Sequence, residues 1–263
     1  MRILHDDLGR RLEPERPPTR IVSLVPSLTE AVAVTVPDRL VGATEYCTHT
    51  GDALPARVRG TKNPDHGAIA RLAPDLVVAN REENRRVDVE RLESAGIPVW
   101  VTDIETVAGA LGSLRRLFDE LLEAGVPQWL LDAEAEWSRP AVLPPARTLV
   151  PVWRDPWMAV GSTTFTGDVL RHLGLTNVLD DAPERYPKRS VGDLVALGPD
   201  LVVLPDEPYA FGAEDGPDAF PGRATVLVSG RDLTWYGPSL VTARHDLEVR
   251  IAAALEDPAP SGR

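Results

Sequence analysis

Short runs of apolar and β-branched residues, bounded by Gly, Pro or Asp, recur along this chain. They predict buried strands at residues 20–25, 39–44, 75–80, 98–103, 147–153, 200–205 and 224–229, with a shorter one at 177–179. Between these runs, apolar residues return every three or four positions. Over 105–124 they fall at 107, 110, 111, 114, 117, 118, 121 and 122, which is one buried helix face. Helices are also predicted over 28–34, 67–73, 85–96, 126–140, 166–175, 191–198 and 238–255. Pro26 reads as the end of the first strand, and Ser27 with Glu30 as a capping box for the helix after it. Strands alternating with helices require parallel sheets covered on both faces.

The pattern also repeats. "PDLVV" begins at Pro74 and again at Pro199, 125 residues later, and both copies run into polar residues, "NREEN" and "PDEPY". The repeat predicts two Rossmann-like α/β lobes with parallel sheets, at residues 20–125 and 141–257. The stretch 126–140 is rich in helix formers and bounded by Pro127 and Pro140, so it reads as a single linking α-helix of ~21 Å. The expected ligand site is the cleft between the lobes. The Pro-rich tail after Asp257 is expected to be disordered.

Composition narrows the function. The 263 residues carry a formal charge of −12, which argues against a nucleic-acid partner. The single cysteine, Cys47, excludes an internal disulfide. No apolar run is long enough for a membrane span, and "MRILHDDLGRRLEPERPP" has no signal-like apolar core, so the reading from sequence is a cytoplasmic protein without membrane insertion. No glycine-rich phosphate loop occurs.

In open parallel sheets, ligands bind at the carboxyl ends of the strands. The loops there collect unusual chemistry for a chain with 5% aromatic residues: Tyr46, Trp153, Trp157, Tyr209, Phe211, Trp235 and Tyr236. Lys62, Arg81, Arg154 and Asp206 lie in the same loops and suit polar ligand groups or one another. Cys47 and His49 are two apart; with His66 or Asp155 they would make a metal site, although a bare ion needs ligands converging from several sides. His5, His172 and His245 read as structural or solvated.

These stretches resemble the helical-backbone substrate-binding proteins, the receptors for cobalamin, ferric siderophores, haem and some metal ions that feed ABC importers. The resemblance rests on the acidic turn, strand and S-x-T-E order in "DDLGRRLEPERPPTRIVSLVPSLTEAV", on "LAPDLV" at 72–77, on "LGPDLV" at 197–202, and on the helix between the copies. It is closest to cobalamin-binding proteins. It implies a corrinoid or other metal-chelate ligand, no catalysis, and an ABC permease as partner. Tyr46 falls where those proteins carry a ligand-contacting ring, "DLTWYG" where they carry an Asp-Trp pair, and Asn80 where they carry a stacking tryptophan. An intracellular metal-ion carrier, or an enzyme acting on a related ligand, is the alternative.

Overall fold

Both copies of the repeated segment become fully buried strands with a neighbour on each side. The computed structural model describes residues 2–256; the tail after Asp257 lies outside them. The chain divides into two units: Met1–Ile104 with Ala108–Ala133 and Tyr236–Pro238, and Glu105–Val107 with Glu134–Trp235 and Ser239–Arg263.

The first unit opens with a hairpin, β1 (Leu4–His5) and β2 (Arg11–Leu12). Its main sheet contains β3 (Ile21–Ser23), β4 (Leu40–Ala43), β5 (Ala56–Arg57), β8 (Leu76–Asn80) and β9 (Val99–Thr102), all parallel, in the order β5-β4-β3-β8-β9. A small hairpin, β6 (Arg59–Gly60) and β7 (Asn63–Pro64), follows β5. The helices are α1 (Pro26–Thr35), α2 (His66–Arg71), α3 (Arg86–Ser94) and α4 (Val107–Arg115), whose last turns widen into a π-helix at Arg116–Leu121. Leu24, Val77, Ala79, Val99 and Val101 belong to one apolar cluster with Ile69, Val89 and Leu92 from the helices.

Two expectations are corrected here. Val25, not Ser27, is the N-cap of α1, and no side chain caps that end. Pro26 occupies the first helical turn, where its missing N–H costs nothing. β3 has already ended at Ser23, so Pro26 starts the helix rather than ending the strand. The acidic turn is structural: Asp6 accepts from the backbone of Leu8, Arg10 and Val101 and from the Arg10 guanidinium, pinning the hairpin to β9.

The second unit is built on a parallel sheet of β10 (Arg147–Leu149), β13 (Thr176–Asn177), β14 (Leu201–Pro205) and β15 (Ala224–Val228), in the order β13-β10-β14-β15. The predicted strand 147–153 breaks in two. Beyond Leu149 the chain leaves the parallel sheet and forms β11 (Pro151–Trp153), antiparallel to β12 (Met158–Ala159). Pro151 has no N–H to give to a parallel neighbour. The helices are α6 (Phe165–His172), α7 (Val191–Ala196), α8 (Gly230–Thr234) and α9 (Leu240–Glu256). α8 lies in a stretch that reads as loop from sequence.

The division between units falls inside α5 (Gln128–Trp137), the helix expected over 126–140. Its end in the second unit is held by Arg244, which is fully buried. The Arg244 guanidinium donates to the carbonyls of Glu136, Arg139 and Pro140 and pairs with Glu248. It supplies the donors that the last turn of a helix lacks. Trp137 adds an indole hydrogen bond to the Leu240 carbonyl at 2.8 Å.

Candidate ligand-binding site

At the carboxyl ends of the first sheet, β4 leads into the loop holding Tyr46, Cys47 and His49. Arg57 fixes that loop by donating to the carbonyls of Thr44 and Cys47, both at 2.8 Å. Tyr46 is 66% exposed and its ring passes over Gly60, where a Cβ would stand 3.1 Å from the ring. His49 is exposed, with Nδ1 3.1 Å from the Thr48 hydroxyl.

Cys47 does not share that exposure. It is fully buried, with Sγ 3.0 Å from the hydroxyls of both Thr29 and Thr44. Burial pushes the thiol's pKa up, against the pull of those hydroxyls and of Arg57. A thiol sealed in this way presents no surface to a ligand or a metal, so its place on the predicted rim is corrected. His66, the other metal candidate, lies 3.2 Å from the buried carboxylate of Asp88. Among the described residues no group of three or more His, Cys, Asp or Glu is arranged to hold a metal ion.

Asn80 is corrected as well. It is buried at the end of β8, and its side chain is used internally: Oδ1 accepts from the N–H groups of Glu82 and Glu83, and Nδ2 donates to Thr102. Asn84 completes the turn by accepting from the Asn80 N–H and donating to the carbonyls of Leu24 and Thr61. Two asparagines therefore shape the polar tail of the first repeat. Around it, Arg81 is paired with Asp103 at 2.6 Å and Lys62 donates to the Glu82 carbonyl at 2.6 Å.

In the second unit the loops after β11 and β14 build an aromatic assembly. Trp153, at the end of β11, is 42% exposed. Tyr209, after β14, meets it edge-on at 5.7 Å and lies 4.7 Å from Phe211. Phe211 stacks on Trp157 at 5.9 Å, and Trp157 meets Phe220 at 5.4 Å. Trp157, Phe211 and Phe220 are buried and belong to this unit's apolar core with Leu149, Val202 and Leu204. The assembly thus rises from core to surface and ends on Trp153, with Tyr209 half-buried beside it.

Charged groups brace these rings. The Arg154 guanidinium lies 5.3 Å from the Trp157 ring centre and pairs with Asp215 and Asp218. Those partners, Asp218 first, hold Arg154 more firmly in its charged form, and Arg154 in turn draws the Asp218 carboxyl below its usual range. The Tyr209 hydroxyl donates to Asp215 at 2.6 Å. Asp206 accepts from the Gly230 N–H at 2.7 Å and so caps the start of α8. Glu207 packs so closely over Gly230 that a Cβ there would lie 2.2 Å from its Cγ. Burial raises the Glu207 pKa, opposed by a hydrogen bond from the Trp235 indole. Trp235 and Tyr236 are both buried, at 8% and 6% exposure.

The predicted residues therefore separate into two groups. Tyr46, His49, Lys62, Arg81, Trp153 and Asp206 are exposed at carboxyl strand ends, and Arg154 is partly so; Cys47, Asn80, Trp157, Trp235 and Tyr236 are buried. Tyr209 reaches the surface at this rim. Its position beside Trp153 follows from the break in the predicted strand at Pro151, which the apolar pattern does not mark. A cavity of about 650 Å³ in the first unit, lined by Leu12, Pro14, Pro74, Ile97, Pro98 and Leu121 among others, lies at the amino ends of β8 and β9, away from these side chains.

No family model matches the chain. Its fold is that of solved periplasmic binding proteins. The periplasmic vitamin B12 binding protein of Vibrio cholerae covers 90% of this chain with 98% of its own, at a TM-score of 0.71 and 18% identity. The periplasmic heme-binding protein of Roseiflexus sp. RS-1, in apo form, covers 90% with 98% of its own, at a TM-score of 0.72 and 20% identity. The class they share with this chain is a two-unit α/β fold. Within that class, the vitamin B12-binding protein of Yersinia pestis (strain Pestoides F) is 25% identical over 198 residues, 73% of this chain and 71% of its own. The resemblance read from the motifs, to substrate-binding proteins and to cobalamin binders among them, is thus carried by relatives of that name.

The expectation of a cytoplasmic protein is overturned. The solved neighbours are described as periplasmic, which points to a location outside the cytoplasm. A secretory leader is removed from a mature protein, so the first residues of a chain are a poor guide to compartment. Among the described residues, no helix is long and apolar enough to cross a membrane.

Proposed function

We propose that this is a ligand-binding protein that takes a corrinoid or another metal-chelate macrocycle at the carboxyl ends of its strands and releases it unchanged. The observation that carries the reading is the exposed Trp153 ring, seated on Tyr209 and on a buried aromatic core. A flat macrocycle gains from burying such a ring, whereas a hydrated ion does not. The kinship with vitamin B12-binding and heme-binding proteins supports the same ligand class. A location outside the cytoplasm fits, and an ABC permease that receives the ligand is the partner this reading implies.

The assignment as a binder rather than an enzyme is supported by the chemistry of the rim. Its one thiol is sealed, and Arg154 is engaged with carboxylates. The domain limits 20–125, 126–140 and 141–257 belong to the same proposal, with the exposed ring of the ligand site in the last. The test is to incubate the protein with cyanocobalamin or with hemin and separate free from bound by size. Colour that travels with the protein, and a ligand recovered chemically intact, is the expected result. Ligand recovered altered would make it an enzyme, and colour that never co-elutes would remove the proposal.

A further inference from the structure

The loop after β14 contains the chain's one Asp-Gly pair, Asp215–Gly216, and no Asn-Gly pair occurs. Asp-Gly pairs are prone to a rearrangement, because no glycine side chain shields the backbone amide from the aspartate. The Gly216 nitrogen attacks Cγ of Asp215 and a C–N bond forms. The bond from Cγ to its hydroxyl breaks, and that hydroxyl leaves as water with the amide proton. The product is a five-membered succinimide. Water adds back at either of its carbonyls. Opening at the original backbone carbonyl gives isoaspartate, an isomer of the starting chain with one more methylene in its backbone.

The fold requires both residues of this reactive pair. Gly216 has φ +132°, a conformation that residues with a side chain rarely adopt, and an added Cβ would lie 2.9 Å from Phe211 and 3.2 Å from Leu204. Asp215 pairs with the Arg154 guanidinium through Oδ1 and accepts from the Tyr209 hydroxyl through Oδ2. Its backbone exchanges two hydrogen bonds with Gly212, at 2.9 and 3.1 Å. The same contacts restrain the rearrangement. With both carboxylate oxygens held, Cγ is not free to swing onto the next amide. That amide is held as well: the Gly216 N–H donates to Asp218 Oδ1 at 2.8 Å, and Asp218 is itself paired with Arg154.

We propose that Asp215–Gly216 is a covalent modification site gated by the fold: stable while Arg154, Tyr209 and Asp218 hold it, and converted to isoaspartate when the loop opens. The consequence falls on the aromatic assembly. In isoaspartate the free carboxylate stands on a different carbon and the backbone is longer. Arg154 and the Tyr209 hydroxyl then lose their partner, and Tyr209 is the ring that meets Trp153 edge-on. Conversion at this one pair therefore loosens the exposed end of the assembly. The chemistry needs only water, and it is independent of any ligand.

The experiment ages the full chain at neutral pH, folded in buffer and unfolded in guanidinium chloride. Isoaspartate at position 215 is read by mass spectrometry after digestion with endoproteinase Asp-N, which does not cleave at isoaspartate. A reaction that waits for the loop to open should run at least about tenfold slower in the folded chain than in the unfolded one. Folded Asp218→Ala, which frees the Gly216 amide, should convert several-fold faster than the folded parent. Near-ultraviolet circular dichroism of the aged, converted fraction should lose part of the aromatic signal. Equal rates in the folded and unfolded parent would overturn the gating, and that comparison needs no variant to fold. Slower conversion in Asp218→Ala would show its carboxylate acting as a base rather than a restraint, and would also overturn it. An unchanged aromatic signal after conversion would overturn the link to Tyr209 and Trp153.

Discussion

Tyr209 and Asp215 are joined by a hydrogen bond of 2.6 Å, phenol to carboxylate, and the same carboxylate carries the Arg154 guanidinium. This pairing fixes the ring that supports Trp153. It also raises the Tyr209 pKa, chiefly because the bond to Asp215 favours the protonated phenol. For an acid whose folded pKa lies above its unfolded value, the added stability is present below the unfolded pKa, about 10 for tyrosine. It is lost as pH rises through the folded value. Melting temperatures should therefore fall more steeply at alkaline pH in the parent than in Tyr209→Phe. In Asp215→Asn, an absorbance titration should show Tyr209 ionising at lower pH. Unchanged phenolate titration in that variant would contradict the pairing.

Trp153 and Trp157 are four residues apart and should respond oppositely to removal. Trp153→Ala removes an exposed ring; it should leave the melting temperature near the parent's and weaken macrocycle binding by roughly 1–3 kcal/mol. Trp157→Ala empties part of the core and should destabilise the fold by about 3–5 kcal/mol. Parallel thermal melts and binding titrations check both. A Trp153→Ala variant with parental affinity would move the site elsewhere.

Cys47 should be silent in the native protein. It is fully buried and its pKa is raised, so an exposed-thiol reagent such as dithionitrobenzoate should release no colour until denaturant is added, and then the equivalent of a single thiol. Rapid reaction of the folded protein would show that the loop carrying Tyr46 and His49 opens readily.

The repeat has a second half that the apolar pattern does not display. Asp75 accepts from the N–H groups of Thr19 and Arg20, and the Arg20 guanidinium donates to the carbonyls of Leu72 and Ala73. Asp200 accepts from the Arg147 N–H, and the Arg147 guanidinium donates to the carbonyls of Leu197 and Gly198. Each "PD" thus braces the amino end of its strand to the strand beside it through one arginine. Asp75→Ala and Asp200→Ala should each cost about 1–3 kcal/mol of stability, read by urea unfolding, without changing ligand affinity. A neutral effect in both would show the braces to be incidental.

The order of strands and helices was legible because it rests on apolar period, which burial enforces. β8, β14 and β15 lie at the predicted runs, and so do most of the helices. What misled was local backbone chemistry. Pro151 ends pairing in the parallel sheet and sends Trp153 into a separate hairpin, although 147–153 reads as one apolar run. Ser27 has the right spacing for a capping box but lies inside the helix, because Pro26 already occupies its first turn.

The placing of polar and aromatic residues in strand-end loops was legible, and which of them are exposed was less so. Strand-end loops do hold the exposed rings and charges. Burial within a loop, however, depends on partners distant in sequence. Cys47 is taken inward by Thr29 and Thr44, Asn80 by Thr102 and its own turn, and Trp157 by Phe211 and Phe220. Compartment was misjudged because that reading rested on the first residues alone, and the solved neighbours, described as periplasmic, overturn it.

The central claim is that the ligand is a chelated macrocycle and not a bare ion, and calorimetry tests it most directly. Titration of the full chain with cyanocobalamin should give saturable heat at one ligand per chain, reduced in Trp153→Ala, while zinc or manganese chloride gives none. Tight stoichiometric binding of either ion that vanishes in His49→Ala, with no heat from cyanocobalamin or hemin, would contradict the account.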